Sequence, residues 1–322
     1  MRLVLTARRG ALLLTTLLAA PALAAMDAGA VALAPGIVID VEHDVAYASG
    51  PDGRTLAIAL DDGGTRWTSA GRALPLALQD GRLLALGDTS EPGLALLLAI
   101  DPASGNAVDQ LTFDLPESVS ASFEPGPGRS FDVQVSALAN GVRLHWRQQT
   151  VPVGGALVID PVNGPEQPRV IEGSVDISVD AEAVQARPLP QTASRPETPS
   201  PLLTAAERLP EVSGDQFRAA DDASVLASVI INDATLGAAN RWTFYDRPSG
   251  AKLGSLDAPY ALAPFLVQGS RLLYRLPPHA YLSPAGAEID LPTRLIGYDL
   301  ATSRELWSVP VMDFVYRGPL PP

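Results

Sequence analysis

The chain has 322 residues, 47% of them hydrophobic, and carries 23 basic and 36 acidic residues for a formal net charge of −13. Because nucleic acid and anionic lipid repel a chain of this negative charge, we expect neither as a partner. It has no cysteine, which excludes disulfides, thiolate metal ligands, cysteine nucleophiles and a lipid anchor on cysteine. Its length and hydrophobic content suffice for a full core without disulfides.

The first 25 residues have the pattern of a secretory signal peptide. Arg2, Arg8 and Arg9 precede the apolar, uncharged run 10–20, and the small residues around Ala24 suit cleavage by a signal peptidase. The apolar run is shorter than the roughly 20 residues that a membrane span needs. We therefore expect cleavage near residue 25 and a mature domain, 26–322, that is soluble in the periplasm or secreted. Cleavage would leave 20 basic residues against 36 acidic ones, a formal charge near −16.

A short turn pattern recurs along the chain. An apolar run ends in Asp, and Gly usually follows four residues later, as in Asp101 and Gly105. Asp accepts hydrogen bonds from the N–H groups of a turn, and Gly supplies the left-handed residue that closes it, so each copy predicts a β-hairpin. The other copies are Asp160 with Gly164, Asp246 with Gly250, Asp299 with Ser303 in place of Gly, and an earlier variant at Asp61.

A second element, a turn followed by a short strand, precedes several of these hairpins and contains Gly81, Gly141 or Gly269. Together the two elements form a unit of about four strands, which is the blade of a β-propeller. The 40 residues that separate Asp61 from Asp101 match the length of one blade. The larger separations that follow imply insertions or degenerate blades, and the proline-rich segment 186–213 is interpreted as a long surface loop.

These patterns predict an all-β fold in one domain: a quinoprotein-like β-propeller of about six or seven four-stranded blades with a Pro-rich insertion. The strand around residues 37–41 would close the ring against the C-terminal blade. A pair of β-sandwiches split at 186–213 has the same strand content and remains the alternative. The recurrence of the hairpin on both sides of that segment favours a single ring.

Two segments, 47–67 and 295–307, resemble the PQQ-type repeat of the quinoprotein-like β-propeller family, of which this chain would be a degenerate member. Each has a strand, a turn and a following Trp, and the resemblance implies that Trp67 and Trp307 pack between neighbouring blades. The family includes cofactor-bearing dehydrogenases and non-enzymatic propellers. The dehydrogenases resemble longer chains and use an adjacent cysteine pair beside the quinone, which this chain lacks. No quinone or other cofactor is therefore expected.

Motifs of catalysis and metal binding are not recognised in the sequence. It contains no Gly-x-Ser-x-Gly elbow, no phosphate-binding loop and no closely spaced histidine pair. The three histidines, His43, His145 and His279, lie far apart in sequence. We predict no catalytic and no metal-binding residues.

Arginines at one strand position form a candidate binding site. Arg143, His145 and Arg147 alternate along a predicted strand and therefore share a face. A corresponding strand ends in Arg275, so that His145, Arg147 and Arg275 would form a cationic rim for an anionic ligand or acidic partner. Pairing of these arginines with local acids is the alternative. Tyr281, in a proline-rich stretch, would either anchor a partner or pack on its own blade.

The leading functional hypothesis is a non-catalytic protein-binding or scaffolding module of the cell envelope. A rigid propeller, expected here as a monomer, presents loops of several blades on one face, which suits an envelope protein or peptide. The alternative is a cofactor- or ligand-binding enzyme, a quinoprotein-like oxidoreductase that uses the central channel. A degenerate propeller without a ligand is the third possibility.

Overall fold

The computed structural model describes residues 29–123, 129–138, 141–150, 159–160, 164–165, 169–179, 184–188, 217–220, 224–233, 237–260, 263–282 and 288–313. These residues form strands and turns and contain no helix, which confirms the all-β prediction. It follows that no helix able to cross a membrane occurs in these ranges. The signal peptide predicted over residues 1–25 lies outside them.

The first eight strands form one continuous sheet, in which each strand pairs antiparallel with the next one in sequence. They are β1 (Ala30–Ala34), β2 (Ile37–Asp40), β3 (Val45–Ser49), β4 (Arg54–Ala59), β5 (Thr65–Gln79), β6 (Arg82–Gly87), β7 (Leu94–Ile100) and β8 (Ala107–Asp114). The long strand β5 is shared, because Trp67 pairs with Ala57 of β4 whereas Leu78 pairs with Leu83 of β6. The sheet therefore divides into two four-stranded units, β2–β5 (unit 1) and β5–β8 (unit 2), with β1 added beside β2.

Three further four-stranded antiparallel sheets follow, each with its strands in sequence order. Unit 3 comprises β9 (Arg129–Leu138), β10 (Gly141–Thr150), β13 (Arg169–Val179) and β14 (Val184–Pro188). Unit 4 comprises β15 (Phe217–Ala220), β16 (Ser224–Asp233), β17 (Gly237–Asp246) and β18 (Lys252–Ala258). Unit 5 comprises β19 (Phe265–Gln268), β20 (Arg271–Leu276), β23 (Arg294–Asp299) and β24 (Arg304–Pro310). Two small hairpins lie in connections: β11 (Ile159–Asp160) with β12 (Gly164–Pro165), and β21 (His279–Leu282) with β22 (Glu288–Leu291).

The hydrophobic core lies between neighbouring units, because the inner strands are apolar on both faces and the sheets cover one another. The strand β3, for example, is buried at every residue. Such strands have near-continuous apolar sequences rather than alternating ones. Each of four buried clusters contains residues of two neighbouring units: Tyr47 and Leu83 for units 1 and 2, Leu97 and Leu144 for units 2 and 3, Phe244 and Leu272 for units 4 and 5, Leu273 and Ile39 for units 5 and 1.

The hairpin between the third and fourth strands has the same geometry in units 2 and 4. The N–H of Gly105 donates to the carbonyl oxygen of Asp101, and that of Gly250 donates to that of Asp246, each at 2.8 Å. The carboxylate of Asp101 accepts from the N–H of Ala103. Both glycines have a positive φ, 74° and 69°, which is the conformation that favours glycine at this position.

In unit 1 the corresponding bond runs from Gly63 to Ala59, at 2.9 Å. Ala59 is therefore the equivalent of Asp101, and the sequence alignment on Asp61 was wrong by two positions. The equivalent residue after Asp299 in unit 5 is Ser303, which adopts a φ of 54° without being glycine. The turn conformation is thus kept where one of its two typical residues has been lost.

The copy of the pattern at Asp160 and Gly164 lies elsewhere in its unit. These residues pair with each other in the β11–β12 hairpin, inside the connection between the second and third strands of unit 3. The proline-rich segment also begins later than the sequence suggested, because residues 186–188 complete β14. That strand is at the edge of its sheet, where a proline costs no hydrogen bond of the ladder.

Trp67 and Trp307 pack in equivalent ways on the turn of a neighbouring unit. The Nε1 of Trp67 donates to the carbonyl oxygen of Pro102 in unit 2, and that of Trp307 donates to the carbonyl oxygen of Leu60 in unit 1, both at 2.8 Å. A Cβ at Gly105 would lie 2.4 Å from the ring of Trp67, so the indole lies directly against this glycine. Each tryptophan therefore joins two units, Trp67 unit 1 to unit 2 and Trp307 unit 5 to unit 1.

Units 5 and 1 are also joined by polar contacts. Arg271 forms an ion pair with Asp44 at 2.9 Å, and the N–H of Met312 donates to the carbonyl oxygen of Ser49. The strand β2, expected to close a ring, hydrogen-bonds to β1 and β3 and contributes side chains such as Ile39 to the core shared with unit 5. The first and last units thus contact each other through side chains and this backbone hydrogen bond, and they do not share a sheet.

The two ends of the strands differ in the length of their connections. At one end, here called the short-turn end, lie the turns between the first and second and between the third and fourth strands, the longest of which is 101–106. The opposite end is here called the long-connection end, because β8, β10, β14 and β20 end there and the next strand of a four-stranded sheet begins 15 to 29 positions later in sequence. The short connections 50–53, 88–93 and 234–236 belong to the same end. Because the strands alternate in direction, every connection of a given type lies at the same end of its unit.

Candidate functional site

Tyr260 and Val311 contact the connection that carries the β21–β22 hairpin in unit 5, through hydrogen bonds to Pro278 and Thr293. This connection borders a cleft of about 670 Å³, here called the hairpin cleft because the hairpin forms its wall. The lining residues are Pro278, His279, Ala280, Asp290, Leu291 and Pro292. Pro278 precedes β21 and Pro292 follows β22, so both prolines lie at the base of the hairpin. The ladder stops there because proline lacks the N–H that would extend it.

Arg275 and Asp313 form a buried ion pair near this cleft. The Nη2 of Arg275 lies 2.6 Å from Oδ1 of Asp313, and the two side chains are only 9% and 12% exposed. The N–H of Val311 donates to the carbonyl oxygen of Thr293, which holds the C-terminal segment beside the hairpin. Arg275 was predicted to contribute to a cationic rim. Its charge is balanced by Asp313, which reduces the positive charge that it can present to a ligand. Its role in a rim remains a prediction.

Tyr260 connects this ion pair to the hairpin. Its hydroxyl donates to the carbonyl oxygen of Pro278, and its ring meets that of His279 edge-on with centroids 6.2 Å apart. The indole of Trp242 fixes the backbone here by donating to the carbonyl oxygen of Tyr260 at 2.8 Å. Burial and the negative charge of Asp313 raise the pKa of Tyr260. The phenol therefore stays protonated and acts as a hydrogen-bond donor.

His145 and Arg147 lie in β10 of unit 3, on the strand face that the alternation predicted. His145 is buried, and its Nδ1 lies 2.7 Å from the hydroxyl of Ser174 on the adjacent strand. Arg143 pairs with Asp176 through two hydrogen bonds of 2.6 and 2.9 Å, which raise its pKa. The Nε of Arg147 is buried without a hydrogen-bond partner. Arginine at this face is thus partly neutralised within the sheet.

The four predicted binding residues belong to two units of the structure, and their convergence in one site remains a prediction. His145 and Arg147 belong to unit 3, whereas Arg275 and Tyr281 belong to unit 5. Tyr281 lies in β21, opposite Ile289 of β22, and its side chain is outside the described part of the structure. Of the four, Arg275 and Tyr281 are the ones near the hairpin cleft.

Sequence reasoning missed Tyr260, Asp313 and Asp290 as parts of this site. They belong to three segments distant in sequence, and no spacing rule joins a connection after β18 to the last described residues of the chain. Only the packing of units 4 and 5 brings them together. Within the described ranges no group of three acidic or histidine side chains is arranged to hold a metal ion. What the site offers is backbone, apolar walls and the carboxylate of Asp290, which suits recognition of a ligand.

Comparison with known proteins gives distant structural likenesses only. No family model matches the chain, and no curated protein matches it. Among solved structures it is similar to the uncharacterized protein lmo1340 of Listeria monocytogenes EGD-e, with 10% identity, a TM-score of 0.26, and 88% of this chain and 81% of that one covered.

Two further similar structures are enzymes. One is the quinohemoprotein alcohol dehydrogenase ADHIIG of Pseudomonas putida HK5, with 11% identity, a TM-score of 0.24 and 85% of this chain covered. The chain spans 58% of the length of that enzyme. The other is the lignostilbene dioxygenase of Pseudomonas brassicacearum, with 11% identity, a TM-score of 0.23, and 89% and 71% of the two chains covered. Likenesses of this degree define neither a family nor an activity for this chain.

Proposed function

We propose that the units are blades of one closed, quinoprotein-like β-propeller. The repeated relationship between a fourth strand and the turn of the next unit supports this. It joins unit 1 to unit 2 through Trp67 and unit 5 to unit 1 through Trp307. In unit 4 the equivalent residue is Gly254, whose backbone lies against Leu300 in the turn of unit 5. A relationship that leads from the last unit back to the first one is what rotational arrangement requires.

The propeller acts as a non-catalytic protein-binding module of the cell envelope, and its long-connection end is the binding face. The observation that carries this proposal is the unequal length of the connections at the two ends. Surface connections that extend well beyond what a turn needs are commonly functional. Three of the exposed large apolar residues, Val170, Ile230 and Ile289, belong to strand segments near this end or to its hairpin. Such side chains are available for contact with a partner that covers this end.

Export is part of the proposal, because an envelope module must leave the cytoplasm. The predicted signal peptide supports it. Mass spectrometry of the protein from a periplasmic fraction should give a mature N-terminus near residue 26. A protein that retains its first residues and stays in the cytoplasm would contradict this part.

Site-specific photo-crosslinking tests the binding face. A photoreactive amino acid at exposed Glu117 or Ala280, on the long-connection end, should give discrete adducts in cells that produce the protein. The matched positions are exposed Ser104 and Asp61 on the short-turn end, which should give none. Adducts mainly from the short-turn end would overturn the assignment of the face. An absorption spectrum of the purified protein with a bound quinone, or quinone-dependent dye reduction, would favour the oxidoreductase alternative instead.

A further inference from the structure

The β21–β22 hairpin leaves the strand edges of its small sheet unpaired within the described residues. The two strands pair only with each other, His279 opposite Leu291 and Tyr281 opposite Ile289, and neither joins the sheet of unit 5. In an antiparallel pair, every second residue directs its N–H and C=O away from the partner strand. Such groups are the template on which an added strand forms. The hairpin therefore has hydrogen-bonding capacity that its own fold does not use.

The base of the hairpin is held in place. Pro278 accepts the hydrogen bond from the hydroxyl of Tyr260, and the ring of His279 packs edge-on against that of Tyr260. The Nδ1 of His279 lies 3.2 Å from the carbonyl oxygen of Pro277. A strand edge fixed in this way is preorganised, so the loss of conformational freedom on binding falls mainly on the partner.

The side chains of β22 define the chemistry of a partner. Its sequence, Glu288 to Leu291, alternates acidic and apolar residues. Ile289 is 37% exposed, and Asp290 is exposed on the wall of the hairpin cleft. No ion pair of Asp290 with another described residue is formed. An exposed carboxylate beside an exposed apolar residue suits a strand that alternates basic and apolar side chains.

We infer that β22 binds an extended, basic segment of a partner polypeptide as a third strand of the hairpin sheet. Lys or Arg of the segment lies near Asp290, and an apolar side chain lies against Ile289. This inference rests on the proposed protein-binding function and names its contact site. A second copy of the same strand fits less well, because two β22 strands would bring their acidic residues together and like charges oppose pairing.

Fluorescence anisotropy with three labelled octapeptides tests the inference on the purified mature chain. The first peptide alternates Lys and Val, the second alternates Glu and Val, and the third is the first with its backbone amides N-methylated. Only the first should bind, because the second has the wrong charge and the third cannot form the strand hydrogen bonds. Binding of the methylated peptide as tightly as the first would overturn the inference, since it would show attraction by charge alone.

Two variants locate the binding strand. Asp290→Lys should weaken binding of the Lys-Val peptide at least about fivefold, because one attractive pair becomes a repulsive one. Asp61→Lys, the same charge change at the short-turn end, should alter it less than about twofold. Tryptophan fluorescence, which reports the core, should be unchanged in both variants. Equal effects of the two substitutions would overturn the inference.

The outcome separates this inference from the proposed function. If Glu117 gives photo-crosslinks while the Lys-Val peptide fails to bind, the protein-binding function stands and the strand-pairing site is wrong. If sedimentation instead shows a dimer that Asp290→Lys affects, the occupant is a second copy and the basic segment is wrong. If neither crosslinks nor peptide binding is found, both proposals fail.

Discussion

The indole Nε1 of Trp307 donates a hydrogen bond of 2.8 Å to the carbonyl oxygen of Leu60, across 247 positions of sequence. The same side chain lies against Gly63, where a Cβ would be 2.6 Å from the Cβ and 2.7 Å from the indole Cγ of Trp307. One side chain of the last unit thus satisfies a buried carbonyl of the first unit and covers its turn. Contacts between residues so far apart in the sequence hold the two units against each other.

Removal of this indole should destabilise the protein markedly. Trp307→Phe loses the hydrogen bond and leaves the carbonyl oxygen of Leu60 unsatisfied, for about 1–2 kcal/mol in the free energy of unfolding. Trp307→Ala also leaves a cavity and should cost about 3–5 kcal/mol. Leu306→Ala, at the exposed neighbouring position, is the control and should change less than about 0.5 kcal/mol. Urea denaturation measures all three, and a tryptophan variant no worse than the control would contradict the contact.

Because Trp67 packs closely on Gly105, replacing this glycine with alanine should lower the free energy of unfolding by an unusually large amount. Gly105→Ala combines a positive φ with a Cβ 2.4 Å from the indole, and we expect a loss of about 3 kcal/mol or more. Gly269→Ala also has a positive φ but no atom within 4 Å of the new Cβ, so about 1 kcal/mol is expected. In a Trp67→Ala background the cost of Gly105→Ala should fall to about that of Gly269→Ala. No such fall in denaturation measurements would mean that the indole is not the cause.

The ion pair of Arg275 and Asp313 should be worth far more than an exposed pair of the same residues. Asp313→Asn leaves an uncompensated buried guanidinium, and the expected loss is about 3 kcal/mol or more. The matched control is Asp257→Asn, because Arg241 and Asp257 form a pair with side chains 54% and 30% exposed. That change should cost at most about 1 kcal/mol. Similar melting temperatures of the two variants would show that the C-terminal segment is not held as described.

Acid should destabilise the protein partly through its turn aspartates. Hydrogen bonds from Ser104 and Ala103 hold the pKa of Asp101 below its usual value, and the hydrogen bond from Arg54 does the same for Asp52. A group whose pKa is lower in the folded state stabilises above its unfolded pKa and loses this contribution as pH falls through the folded one. Stability should therefore decrease below about pH 4. Ser104→Ala should reduce the dependence of the melting temperature on pH in that range, while an unchanged acid limb would contradict the role of this bond.

Alkaline solution should act through buried tyrosines. Burial, followed by the charge of Asp40, raises the pKa of Tyr47, and burial raises that of Tyr274. The unfolded chain releases these protons at about pH 10, whereas the folded chain retains them. Stability is thus fully present below about pH 10 and is lost as the pH rises towards the folded pKa. Tyr47→Phe should flatten the alkaline limb of a melting curve series, and an identical limb in wild type and variant would refute this cause.

Much of the secondary structure could be predicted from local sequence. The turn at Asp101 and Gly105 was found because its hydrogen bonds are made within a few residues, and the same holds for Asp246 and Gly250. The alignment of the first copy on Asp61 failed for an equally local reason. Two successive aspartates and two successive glycines fit the pattern in more than one register, and only the bond from Gly63 to Ala59 decides between them.

Local sequence was enough to predict an acidic, cysteine-free chain of short antiparallel strands, since alternation and turn chemistry act between residues close in the chain. The pairing of Arg275 with Asp313 and the hydrogen bond from Tyr260 to the hairpin became visible only in the folded chain. These relationships depend on how whole sheets pack on one another. The packing of apolar surfaces is non-directional, so no short stretch of sequence predicts which residues it brings together.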